Sequence, residues 1–488
     1  MGMGVIEAYK FNSGNIPVDV SIESDKNEFV MIYKISISQI SSTTEIILEK
    51  IRNELVDKVK LGIGDVTDPK KFDYIKLKFQ KTIISLIKKY LPDLSDETLD
   101  FFTTYLMHKS FGLGRIELLM SDKGLEEVVI NSADEPVWVY HHKYGWLKTN
   151  IELENEELIK HYSTVIARRV GRSITLLNPL LDAHLEGGDR VNSTLQPIST
   201  HGNTITIRKF ASKPITITNF IQNKSISVSA AALVWLAMEY EMSALVSGGT
   251  ASGKTSFLGA LCSFFPPNQR IISVEDTREI QLPKYLHWVP MNTREPNVEG
   301  KGGIEMLDLI VNSLRMRPDR IVVGEIRRKK EAETLFEAMH TGHSVYATVH
   351  ANNAEETVNR LTNPPIDVPK AMLPAVSLIV NMYRNRRTGL RRIFQIAEIT
   401  EDAKANVLLQ LDLRGDKLVA ANESRKLMPD LQTQTGMNQQ EINKSLEEKG
   451  IILKWLVKNN IDTVDGIGKV VATYYTNKES LMGFLKNA

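Results

Sequence analysis

The chain opens with apolar and polar residues in alternation. Phe29-Val30-Met31-Ile32-Tyr33-Lys34-Ile35-Ser36-Ile37 shows the pattern best, and residues 1 to about 40 are predicted to be strand-rich. The period then changes. A helix is predicted behind Ser42, with Glu45 completing a capping box and Ile47, Leu48, Ile51, Leu55 and Val59 on one face. Amphipathic helices follow near 72–91 and 96–108. From Gly112 the texture is that of short strands, at Val128–Ile130, Val137–Tyr140, Arg190–Asn192 and Thr204–Arg208, with one helix over Glu156–Val170. Residues 211–227 carry Pro214 and many Ser, Thr and Asn, which predicts a linker. Beyond it, helices alternate with short β-branched strands at Leu245-Val246, Ile271–Val274, Ile321–Val323 and Val345–Val349. That alternation predicts an α/β domain with a mostly parallel sheet. Residues 376–400 read as a hairpin around Arg386-Arg387-Thr388-Gly389, and the last ~85 residues as polar, then helical.

One stretch carries chemistry on its face. Gly248-Gly249-Thr250-Ala251-Ser252-Gly253-Lys254-Thr255 fits G-x-x-x-x-G-K-[ST] at every fixed position, between a predicted strand (Ser243–Val246) and a predicted helix (Ser256–Leu261). The glycines let the backbone curl so that successive N–H groups face a phosphate. The helix that follows adds the positive end of its dipole. Lys254 brings a charge to the β/γ-phosphates, and the Thr255 hydroxyl is a ligand for Mg²⁺.

Composition limits the alternatives. The chain has 488 residues, enough for two to four domains, and balances 60 Lys+Arg against 59 Asp+Glu. That neutrality, with no aromatic-plus-basic stacking pattern, argues against a nucleic-acid motor. The single cysteine, Cys262, excludes intrachain disulfides and multi-cysteine zinc sites and suits a reducing cytosol. Met1-Gly2-Met3-Gly4 lacks the basic-then-apolar pattern of a signal peptide, and no apolar run approaches about 18 residues. A cytoplasmic protein with only peripheral membrane contact is expected.

Other segments end in candidate catalytic groups. The strand Arg320–Val323 runs into Gly324-Glu325, with glycine where a magnesium-binding Asp is usual. Glu325 is expected to hold the ion through water or to position the attacking water. The strand Ile271–Val274 runs into Glu275-Asp276-Thr277-Arg278-Glu279. Glu275 is the candidate general base, with Asp276 or Glu279 as support for the metal. His343 and His350 bracket a third strand, where they are candidates to sense the γ-phosphate or hold the water. A shared metal is disfavoured, because the strand would separate the two rings by roughly 20 Å.

The order and spacing of phosphate loop, acidic box, Gly-Glu strand end and two-histidine box resemble the secretion ATPase superfamily of type II secretion, type IV pili, transfer systems and archaella. The resemblance extends upstream through Gly112–Leu119, Glu126–Asn131, Gly188–Asn192 and Thr206–Phe210, and so covers about residues 110–400. It implies a RecA-like P-loop ATPase core with mixed α/β N-terminal domains, a helical bundle plus a PAS-like domain. The divisions implied are 1–110, 111–210 (PAS-like), a hinge at 211–227, the core at 228–400 and a mostly helical region at 401–488. It also implies ATP and Mg²⁺, a homohexamer, a polytopic membrane platform protein and other filament motor components as partners. Arg190 and Arg208 match positions that supply arginine charge to the nucleotide in that family. Leu177–His184, Tyr144–Asn150 and Leu314–Arg320 look archaeal, and the N-terminal region resembles archaellum motor ATPases, with archaeal adhesive pilus ATPases sharing nearly all core motifs. The basic clusters Arg327–Lys330 and Arg384, Arg386, Arg387, Arg391 and Arg392 are expected on a contact surface for platform, headgroups or neighbouring subunit.

Overall fold

Alternation does what it predicts at the amino end. In strand β2 (Ile16–Ser24) every second residue, Ile16, Val18, Val20 and Ile22, is buried. A two-residue turn at Gly14-Asn15, with Gly14 at φ +58°, joins it to β1 (Gly4–Ser13). The computed structural model describes residues 4–26, 28–37, 40–58, 72–185, 187–210, 213–296, 300–385 and 387–487. Val59 and Arg386 therefore lie outside the described residues. Two compact units are present, Met1–Ser212 and Lys213–Ala488.

The first unit is built on one nine-stranded sheet. β3 (Ile32–Ser36), β4 (Leu125–Ile130), β5 (Trp138–His141), β6 (Gly145–Thr149), β7 (Leu180–His184), β8 (Arg190–Thr194) and β9 (Thr204–Arg208) join β1 and β2 in the order β1-β2-β3-β6-β5-β4-β9-β8-β7. The parallel pairing of β3 with β6, Ile32 opposite Lys148, makes a single sheet from strands on both sides of residue 110. Three helices, Ser42–Lys58, Phe72–Tyr90 and Asp96–Phe111, bury Leu48, Ile51, Leu55, Ile83, Leu86, Phe101 and Phe102 in the same core. The first of them is capped one residue earlier than expected: the Thr44 N–H donates to Ser41 Oγ at 3.2 Å.

The second unit has its own nine-stranded sheet. Its strands are β10 (Ala244–Gly248), β11 (Arg270–Glu275), β12 (His287–Asn292), β13 (Arg320–Val323), β14 (Ser344–Val349), β15 (Leu378–Arg384), β16 (Arg391–Ile399), β17 (Ala405–Asp412) and β18 (Lys417–Ala420). They lie in the order β12-β11-β13-β14-β10-β15-β16-β17-β18. Neighbours from β12 to β15 pair in parallel, and β16 to β18 extend the sheet antiparallel. β10, β13 and β14 are buried along their whole length, as strands covered on both faces must be.

Two segments differ from expectation. Residues 211–227 contain a helix, Ile217–Gln222, whose Phe220 ring packs edge-on against Phe257 at 5.1 Å. Three of the polar residues there, Thr216, Asn219 and Ser227, are caps: the Thr216 N–H donates to Asn219 Oδ1, and the Ala230 N–H to Ser227 Oγ. The region after 400 begins with two strands of the core sheet before its helices. Those helices belong to the same core. Trp235 donates to the Tyr475 hydroxyl at 2.9 Å, and the buried Lys449 ammonium lies 2.5 Å from Glu239.

Candidate nucleotide-binding site

A parallel sheet gathers the loops at the carboxyl ends of its strands on one edge, and there the charged segments of the second unit meet. β10 delivers the chain to Gly248, and the helix Lys254–Cys262 starts from Gly253, left-handed at φ +94°. Only glycine fits at Gly248. A Cβ there would fall 2.6 Å from the Met382 carbonyl oxygen and 2.5 Å from Ser252 Oγ. Ala251 is held at φ +57°, and its carbonyl accepts from Arg391 Nε at 3.2 Å. Lys254 curls back over the loop and donates to the Gly249 carbonyl at 3.0 Å, as the Ser252 hydroxyl does at 2.9 Å. Burial lowers the Lys254 pKa, with the Glu325 and Glu279 charges opposing. Thr255, half-buried, follows in the first turn of the helix.

Glu275 ends β11 and is only 2 % exposed. Its Oε1 accepts the Glu279 and Ile280 N–H groups at 3.0 and 3.1 Å. Burial pushes its pKa up to about 7 against the downward pull of those two bonds. Gly324 lies against it: a Cβ at 324 would sit 3.5 Å from Glu275 Cα and Cγ. An aspartate there would place a second carboxylate beside Glu275. Glu325 Oε2 accepts from Arg327 Nε at 3.1 Å and Nη2 at 2.8 Å. Arg327 also donates to Asp276 Oδ2 at 2.6 Å and so ties together the acidic ends of β11 and β13.

The two histidines part company. His350 follows β14 at the loop edge, with Nε2 3.0 Å from Thr250 Oγ1. Its pKa is lowered by burial and then by the Lys254 charge, which favours the neutral ring. His343 precedes β14 at the opposite edge, roughly 20 Å away by strand rise. Its Nδ1 faces Ala338 O and Thr341 Oγ1, both at 3.3 Å. The expectation that His343 shares the site is thereby corrected: a six-residue strand in a parallel sheet has its ends on opposite edges.

Arg190 and Arg208 belong to the first unit, opposite each other on β8 and β9. Arg190 makes a two-pronged contact with Asp182, Nε to Oδ1 at 3.1 Å and Nη2 to Oδ2 at 2.6 Å. Several cations of the basic clusters are paired, and Arg386 lies outside the described residues. Arg327 is engaged as above, Arg328 pairs with Glu305 at 3.2 Å, Lys329 with Asp367 at 2.7 Å, and Arg392 with Asp416 at 2.7 Å.

The sequence reading did not single out Asn381, Arg327 or Arg391 as parts of the site. Asn381 is wholly buried in β15, and its Nδ2 donates to Ser247 Oγ at 2.8 Å and to Ala351 O at 3.1 Å. The signal was present: a lone amide inside Leu378-Ile379-Val380-Asn381-Met382.

Among the described residues no group of three or more His, Cys, Asp or Glu gathers to hold a metal ion. The donor set fits Mg²⁺ in its usual manner, with one hydroxyl (Thr255) and a carboxylate (Glu325) near the loop and the remaining ligands from phosphates and water. No described helix is long and apolar enough to cross a membrane.

A strand, a glycine loop carrying one lysine, and a helix at the carboxyl edge of a parallel sheet define the RecA-like P-loop class. Residues 147–393, half of the chain, match the family described as Type II/IV secretion system protein, and the chain belongs to that family. It is 37% identical over 309 residues to the uncharacterized protein MJ0900 of Methanocaldococcus jannaschii, covering 63% of this chain and 55% of that protein. It is 32% identical over 304 residues to the putative conjugal transfer protein MT3759 of Mycobacterium tuberculosis, covering 59% of this chain and 85% of that protein. The chain spans about half the length of MJ0900 and of the uncharacterized protein MJ0781 of the same organism, 55% and 46% respectively. The solved ATPase DotB of Legionella pneumophila aligns at TM-score 0.44 and 16% identity over 73% of this chain and 94% of that one.

Proposed function

We propose that this chain is a Mg²⁺-dependent ATPase motor working as a homohexamer on a polytopic membrane platform protein. The observation that carries the reading is the juxtaposition, on one sheet edge, of a complete phosphate loop with a buried carboxyl of raised pKa. In this reading Gly248–Thr255 cradle the phosphates, Lys254 neutralises the β/γ charge, and Thr255 with Glu325 holds the ion. Mg²⁺ would screen the charge that develops on the transferred phosphoryl. Glu275 takes the proton of the attacking water, and its pKa near neutrality suits that task. His350, hydrogen-bonded to the loop, reports whether a γ-phosphate is present. Arg190 and Arg208 add charge stabilisation when a nucleotide is enclosed.

The test is phosphate release by the purified chain with ATP, with and without Mg²⁺, alongside the mass of the assembly in solution. Mixed rings of Arg190→Ala and Lys254→Ala chains should regain activity if the arginine acts across subunits. No turnover under any of these conditions would sink the reading.

The finer reading is an archaellum motor that assembles and rotates a filament, with an adhesive pilus assembly ATPase as its neighbour. The conjugal transfer relatives favour a second reading, a transfer-system ATPase that moves DNA. Stimulation of turnover separates them: anionic lipid vesicles should accelerate a filament motor and duplex DNA should not. Between the two filament readings, loss of swimming against loss of surface adhesion in a deletion strain decides.

A further inference from the structure

Asn381 stands directly opposite Ser247 in the β15–β10 register, one residue before the first loop glycine. It is wholly buried, and the acceptors around it fix the orientation of its amide, since the Ala351 carbonyl can only receive a donor. Its Nδ2 therefore joins two places in the site. One is the Ser247 hydroxyl at the base of the phosphate loop; the other is the carbonyl of Ala351, the residue after His350. On the far side Ser247 Oγ lies 2.9 Å from Thr357 Oγ1, in the helix Ala354–Thr362. Asn381 Oδ1 is buried with no donor. A half-satisfied buried amide is less stable than an apolar side chain of that size, so stability does not account for asparagine in this strand.

Resting on the ATPase reading above, we infer that Asn381 is a positioning residue: through Ala351 it holds His350 against the phosphate loop. The geometry gives His350 one tie to the loop from its ring, at Thr250, and a second from the backbone behind it, at Asn381. Without the second tie the segment after β14 is free to carry the ring away from the loop. Nucleotide binding should then survive while the hydrolytic step suffers.

A double-mutant cycle in the full-length chain tests this. Asn381→Ala should lower kcat roughly tenfold and shift nucleotide Kd by less than about twofold. Adding it to His350→Ala should slow turnover by no more than about twofold beyond His350→Ala alone, because both changes remove the same arrangement. Thr357→Ala removes a different buried bond to the same serine and should leave kcat within about twofold. Losses that multiply to roughly a hundredfold, or a Thr357→Ala loss equal to that of Asn381→Ala, would overturn the inference and leave the ATPase reading intact. If Asn381→Ala does not fold, Asn381→Ser is put through the same cycle and judged by the same criterion. A wild-type chain without turnover overturns the parent reading and this inference with it.

Discussion

The two ends of β14 place the same residue type at opposite edges of one sheet, and the edges are built differently. At the amino edge, several polar groups bond to other parts of the fold. Arg320, wholly buried, donates to Gln269 and the Tyr346 hydroxyl, with its guanidinium 4.3 Å from the Phe265 ring centre. Asp319 accepts the Arg270 N–H, and Ser344 donates to Glu241 O at 2.7 Å. At the carboxyl edge, Arg327 pairs with Asp276 and Glu325, while the charges of Lys254 and Glu275 are held close to them on backbone groups. Lys254 is tied to a carbonyl rather than a carboxylate, and Glu275 is buried on two backbone N–H groups. On the ATPase reading, the carboxyl edge is the one that meets the phosphate charge of a nucleotide.

The most damaging way to break that contrast is Lys254→Ala. It removes the loop's only side-chain charge aimed at the β/γ-phosphates. Hydrolysis should fall below detection and nucleotide binding should weaken. Phosphate release and nucleotide titration measure the two losses, and near-normal turnover would remove the loop from the proposed mechanism.

Next come the carboxylates. Glu275→Gln should keep ATP binding and slow hydrolysis by at least roughly a hundredfold, as expected for loss of a general base. Glu325→Gln should show a comparable loss, through the ion or the water. If Glu275→Gln is inert while Glu325→Gln is dead, the base is Glu325. The raised pKa of Glu275, about 7, adds a pH signature. A base works ionised, so wild-type kcat should climb as pH rises through about 7. Stability should move the other way. A carboxyl whose folded pKa is raised from 4.5 to about 7 favours the fold in its protonated form. That advantage is complete below pH 4.5 and lost as pH rises through about 7, on the order of 3 kcal/mol. Relative to Glu275→Gln, the wild type should therefore lose unfolding free energy across that window.

What the sequence disclosed and what it hid follows the range of the interactions. The phosphate loop is eight contiguous residues whose conformation depends on its own glycines, so it was legible. The buried runs of β10, β13 and β14 were legible for the same reason. The parallel pairing of Ile32 with Lys148 depends on residues more than a hundred positions apart, and no local pattern announces it. β17 and β18 were missed because partly exposed strands at a sheet end, such as Lys417–Ala420, lack a strong apolar period. Glu275 and Glu325 were identifiable as residues, but not the Arg327 bridge between their segments, which exists only once β11 and β13 lie side by side. The division between the two units falls within residues 211–227, as expected of a linker, but the helix there was not foreseen, because the same Ser, Thr and Asn that favour loops also cap helices.

A smaller effect is expected at His350. Its ring is exposed, and its contact with Thr250 is a single hydrogen bond. His350→Ala should reduce kcat roughly tenfold and leave nucleotide affinity nearly unchanged. His350→Gln, which keeps a donor and acceptor at similar reach, should recover part of the loss. Steady-state turnover with a parallel binding titration separates the two quantities.

The smallest effect should come from His343, and it is the sharpest test of the contrast between edges. Its ring faces Ala338 O and Thr341 Oγ1, groups at the end of the helix Lys329–His340, and it is separated from the loop by the full length of β14. Loss of that local bond should cost about 1 kcal/mol of stability at most. Turnover of His343→Ala should remain within about twofold of wild type, because the groups its ring faces, Ala338 O and Thr341 Oγ1, lie at the amino edge. A tenfold loss of kcat in a normally folded His343→Ala chain would mean that the amino edge contributes to turnover after all. The carrier would then be an interface with another subunit, and the same substitution should also change the mass of the assembly in solution.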